Sequence, residues 1–101
     1  MREVVWSQSA LDDMDELAAY IAADNPRAAL RVLDRIETTV ERLAHTPIGH
    51  SGRVAGTYEM PVTGLSYIIA YALQAVGSRE QIVVLRVIHG ARNWPQGGWP
   101  T

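Results

Sequence analysis

Polar and apolar residues change rhythm twice along this chain. Val4-Val5-Trp6 opens it as a short β-prone run. Leu11, Met14, Leu17, Ala18 and Ile21 then recur at three- and four-residue steps, predicting an amphipathic helix that starts after Ser7, a good N-cap residue. Its other face carries Asp12, Asp13, Asp15 and Glu16, near the N-terminus where negative charge complements the helix dipole. The pattern stops at Asp24-Asn25-Pro26. Asn25 caps a second helix, and Pro26 takes its first position, where a missing N–H costs nothing. There Ala29, Leu33, Ile36, Val40 and Leu43 form the apolar stripe, widened by Leu30 and Val32, while Arg31, Arg35, Glu37, Glu41 and Arg42 lie outside. Proline at position 47 forbids continuation. With so short a connection, the two helices should form an antiparallel hairpin.

Residues 47–56 are rich in turn formers and read as a loop. After them the period switches to two. Thr57–Val62, Ser66–Leu73 and Gln81–His89 read as strands, joined by turns at Thr63-Gly64 and Val76-Gly77-Ser78. The expected order is β-α-α-β-β-β, an α+β fold with the helical hairpin packed on one face of a small, mainly antiparallel sheet. Residues 1–95 should form one domain and residues 96–101 a flexible tail. The last two strands are apolar on both faces: Ile68 and Ala70 alternate with Tyr67, Ile69 and Tyr71, and Val83, Leu85 and Val87 with Ile82, Val84 and Ile88. Two helices cover only one face of a sheet, so chain ends, loops or a protein partner must shield the other.

Composition narrows the function. The 101 residues contain no Cys, which excludes a disulfide framework, a thiolate nucleophile and cysteine-bound zinc. Three scattered histidines, His45, His50 and His89, suggest no metal site, and no cofactor motif occurs. No apolar run approaches the ~20 residues that cross a bilayer, and residues 1–6 do not resemble a signal peptide, so a soluble, cytoplasmic protein is expected. The net charge of −2 averages two unlike halves: residues 1–50 hold nine acids against five arginines, residues 51–101 two acids against four. All nine cations are arginine, each capable of a planar, bidentate contact.

Arg86 lies within the last strand, where strict alternation puts it on one face with Val84 and Ile88. Unpaired burial there is costly, and Glu59 is the evident ion-pair partner. Alternatively Arg86, Arg53 and Arg92 line a basic concavity for phosphate or a partner's carboxylates. His89 closes the strand as a candidate general acid or base, or as a simple strand-end imidazole. Tyr58, Tyr67 and Tyr71 suit core or interface positions, and Trp94 suits packing on the sheet edge.

Several segments are similar to the RelE/ParE toxin superfamily. They include Val5-Trp6-Ser7, Asn25-Pro26-Arg27-Ala28-Ala29, Gly52-Arg53-Val54-Ala55-Gly56-Thr57-Tyr58-Glu59-Met60 and Val84-Leu85-Arg86-Val87-Ile88-His89-Gly90-Ala91-Arg92-Asn93-Trp94. The last motif and the Gly-Arg-Val-x-Gly-Thr loop look most like the ParE branch. That resemblance implies the toxin half of a type II toxin–antitoxin pair, associated with growth arrest and plasmid stabilisation. It also implies a hetero-oligomer with an antitoxin that binds operator DNA through a ribbon-helix-helix region. By position, the antitoxin contacts expected are Arg53, Tyr58, Glu59, Tyr67, Tyr71, Arg86, Ile88, Arg92 and Trp94. The ParE branch is associated with inhibition of DNA gyrase and the RelE branch with cleavage of mRNA on the ribosome. In the second case Arg53, Arg86 and His89 would form part of the nuclease site. The absence of Lys and an isoelectric point near 5.8 argue against RNA, because phosphate contacts dominate nucleic-acid affinity. Tyr58 departs from the ParE branch, which often has Arg there.

Overall fold

Both expected helix starts are capped by the side chains that the sequence nominates. The Ser7 hydroxyl accepts from the Ala10 N–H at 3.1 Å and opens helix α1 (Gln8–Ala22). Asn25 Oδ1 accepts from the Ala28 N–H at 3.1 Å and opens α2 (Pro26–His45), with proline in its first turn. The structure is a computed structural model that describes residues 2–46, 50–52 and 55–90. Strand β1 (Glu3–Trp6) precedes the helices; β2 (His50–Ser51), β3 (Tyr58–Pro61), β4 (Tyr67–Val76) and β5 (Arg79–His89) follow them.

The strands form one sheet in the order β1-β5-β4-β3-β2. Strands β2 to β5 are antiparallel neighbours, while β1 runs parallel to β5 with Glu3 opposite Gln81 and Trp6 opposite Val84. The α+β order is therefore as expected, with one correction. The loop at 47–56 contains a two-residue strand, since His50 and Ser51 pair with Glu59 and Tyr58. No alternating pattern marks so short a pairing. The β4–β5 hairpin also runs longer than its apolar residues, through Gln74-Ala75-Val76 to Arg79, because Gly77 at φ 61° makes the tight turn.

The core lies between the helices and one sheet face. Ala10, Met14 and Leu17 of α1 and Ile36, Val40 and Leu43 of α2 meet Ile69, Tyr71, Ile82, Val84 and Val87. Two stripe positions depart from expectation: Leu11 is 44% exposed and Leu30 69% exposed. Leu30 sits on the outer side of α2, so it does not widen the stripe. The second sheet face carries Val5, Ile68, Ala72, Val83 and Leu85, of which Val5 is exposed and the others are half-buried.

Candidate functional site

Strand β1 ends at Trp6, opposite Val84, so among the described residues β5 continues without a strand neighbour on that side. Backbone groups left open at a sheet edge need other partners. Helix α1 supplies them. The Ser7 N–H donates to the Val84 carbonyl at 2.9 Å, and the Ser7 hydroxyl donates to the Leu85 carbonyl at 2.9 Å. Two turns further on, Asp13 Oδ2 accepts from the Val87 N–H at 2.9 Å.

The same carboxylate holds Arg86. Nε donates to Asp13 Oδ2 at 2.8 Å and an Nη to Oδ1 at 3.0 Å, a bidentate pair with side chains only 20% and 10% exposed. The hydrogen bond to Asp13 holds the Arg86 guanidinium above its ordinary pKa. Burial opposes that shift, and the charges of Asp13 and Glu16 add to it.

This pair departs from the sequence reading. Arg86 finds a bidentate carboxylate on α1, a partner that the sequence did not nominate. Asp13 also leaves the solvated face assigned to it and turns toward the sheet. The strand register shifts beside it: Ala70 pairs with Arg86 and Tyr71 with Val84, so Leu85 is an extra residue in β5. Such a bulge breaks the two-residue alternation. Val87 rather than Ile88 then joins Val84 in the core, while Arg86 shares a face with Ala70 and Ile88 and its guanidinium meets Asp13 beside β5.

Arg86 and Asp13 border a cleft of about 550 Å³ with Glu16, Tyr20, Tyr67 and His89. Tyr67 and His89 meet edge to face, ring centroids 5.2 Å apart. Two carboxylates thus face one guanidinium.

The remaining expected contacts are dispersed. Tyr58 stacks on Tyr71 at 5.5 Å, and the Tyr71 ring is 1% exposed, so it supports the core. Glu59 and Ile88 are buried at 4% and 5% exposure. Arg53, Arg92 and Trp94, like the tail at 96–101, lie outside the described residues. Among the described residues no cluster of His, Asp and Glu is arranged to hold a metal ion, and no helix is long and apolar enough to cross a membrane.

Asp13 is the residue that sequence reasoning missed, and nothing singles it out among Asp12, Asp13, Asp15 and Glu16. Its position six residues after the Ser7 cap, facing Arg86 of the last strand, is intelligible only once β1 and β5 are known to be parallel neighbours.

This arrangement of helical hairpin and mixed sheet is the fold of a toxin–antitoxin structure. A chain of the chromosomal ParDE system from P. aeruginosa superimposes with a TM-score of 0.77 at 19% identity, covering 88% of this chain and 96% of that one. The sequence carries the match further: residues 4–94 match the family described as the ParE toxin of the type II toxin–antitoxin system parDE, and the chain belongs to that family. It is 40% identical over 96 residues to Y4kP of Sinorhizobium fredii, a protein designated as a toxin, covering 94% of this chain and 95% of that protein. Toxin RelE2 of Caulobacter vibrioides is 32% identical over 93 residues, covering 91% and 99%.

Proposed function

We propose that this ParE-family toxin arrests growth as a protein inhibitor of DNA gyrase in the cytoplasm. A cognate antitoxin with a ribbon-helix-helix DNA-binding region holds it inactive in a hetero-oligomer, so operator DNA is reached only through that antitoxin. The observation that carries the choice of a non-enzymatic mode is the Asp13–Arg86 pair. A nuclease needs a cation free to stabilise the charge that builds on phosphate during cleavage. Here Arg86 is already neutralised, and Glu16 adds a second carboxylate to the same cleft. Either carboxylate repels RNA, whose backbone dominates binding.

Purified toxin should inhibit gyrase supercoiling of relaxed plasmid and leave cell-free translation intact, and added antitoxin should restore supercoiling. Growth arrest with normal supercoiling would refute the assignment. Cleavage of mRNA on ribosomes is the second reading, favoured by the relative named RelE2 and by Arg86 and His89 lining one cleft. Joint substitution of Arg86 and His89 by Ala separates the two. Toxicity retained with a folded protein rules the nuclease out.

A further inference from the structure

A second concavity beside α1, of about 480 Å³, lies between α1, α2 and β1. Its floor is apolar: Trp6, Met14, Leu33 and Val40 line it, and Leu11 stands at its side 44% exposed. Its rim is acidic. Asp15, Glu37 and Glu41 border it, and among the described residues no arginine does. All three are exposed, and none of their carboxylates has a hydrogen bond or ion pair among the described residues. Glu37 and Glu41 stand four residues apart on α2, about 6 Å along the axis. Like charges at that spacing destabilise a helix unless a cation lies between them.

We infer that this groove seats a basic amphipathic helix of the antitoxin, and that Asp15, Glu37 and Glu41 select that helix by charge. The inference rests on the reading of the chain as an antitoxin-held toxin. It goes beyond that reading by adding a contact on the helical face with its own charge requirement. An apolar groove takes the 3-4 spaced anchors of a helix, and the rim fixes which helix is accepted. Cations one turn apart on the incoming helix match Glu37 and Glu41, while a third meets Asp15 across the groove. Nucleic acid, an anionic membrane surface and an acidic peptide are all repelled by the same rim.

The test titrates the full-length protein with two synthetic helical peptides of about four turns. Both carry leucines at i, i+3, i+4 and i+7, flanked by arginine in one and by glutamate in the other. The arginine peptide should bind at least about tenfold more tightly at low salt, with the advantage narrowing as salt screens the rim. The triple variant Asp15→Asn, Glu37→Gln, Glu41→Gln should lose the preference while keeping its helical circular dichroism. Equal binding of the two peptides, or of neither, overturns the proposal, and this comparison on the unaltered protein decides even where the variant folds poorly. A second arm uses the antitoxin encoded beside the toxin. It should bind the charge-reversed variant Asp15→Lys, Glu37→Lys, Glu41→Lys at least about tenfold more weakly than the parent. Equal affinity for both overturns the groove assignment and leaves the toxin–antitoxin reading standing. Failure to bind or neutralise even the parent toxin overturns both.

Discussion

Substituting Asp13 by Ala removes three hydrogen bonds at once: two from the Arg86 guanidinium and one from the Val87 N–H. Deleting one partner of a fully buried ion pair costs about 3–5 kcal/mol, mostly through the charge left behind. Here the Arg86 side chain is 20% exposed and recovers some hydration. The Val87 N–H loses its acceptor, a loss of about 1–3 kcal/mol where water is excluded. Since the same solvent access relieves both groups, a total of about 2–4 kcal/mol is expected. That is a large share of the ~5–15 kcal/mol that holds a domain folded. At about 4–8 °C per kcal/mol, the melting temperature should fall by roughly 8–32 °C. Urea and thermal melts followed by circular dichroism read this directly. Asp12→Ala is the control one residue away, exposed and bonded to Gln8, and should change stability by no more than about 0.5 kcal/mol. The double variant Asp13→Leu, Arg86→Met should recover much of the loss, since an apolar pair of similar size replaces a buried salt bridge at little cost. A loss below about 1 kcal/mol for Asp13→Ala, or a double variant no better than the single one, would refute the reasoning.

Other substitutions probe separate parts of the frame. Ser7→Ala removes both the α1 cap and the bond to the Leu85 carbonyl, and should cost about 1–2 kcal/mol in the same melts. Leu43→Ala, at a fully buried site, should cost about 2.5–5 kcal/mol, with urea midpoints as the measure. Gly77→Ala meets no neighbour within 4 Å, so its cost is the backbone term for φ 61°, about 1–2 kcal/mol, and should leave the core's near-ultraviolet signal unchanged.

The sequence disclosed its local features well and its long-range ones poorly. Ser7, Asn25 and Pro26 mark helix starts because their signals act within four residues. The turn at Gly77 is equally local. The bulge at Leu85 is invisible because Ile82 to Leu85 is apolar at every position, so no alternation exists to be broken. Without the bulge, strict alternation puts Arg86 on one face with Val84, whereas the register pairs Arg86 with Ala70 and sends Val84 to the core. Asp13 was hidden by three acidic neighbours of the same apparent kind.

The parallel pairing of β1 with β5 also sets a schedule. Ser7 reaches Leu85 and Arg2 reaches Glu80 across 78 residues, and Asp13 reaches Arg86 across 73. Contacts of such long separation slow folding and leave the chain without a half that closes by itself. During synthesis at ~5–20 residues per second, β1 and α1 wait on the order of 4–16 s for β5 to be made. Throughout that interval Asp13 lacks Arg86, and β1 lacks the strand it pairs with. A newly made chain therefore acquires the surfaces of a toxin only at the end of its own translation, and a product truncated before residue 86 never does.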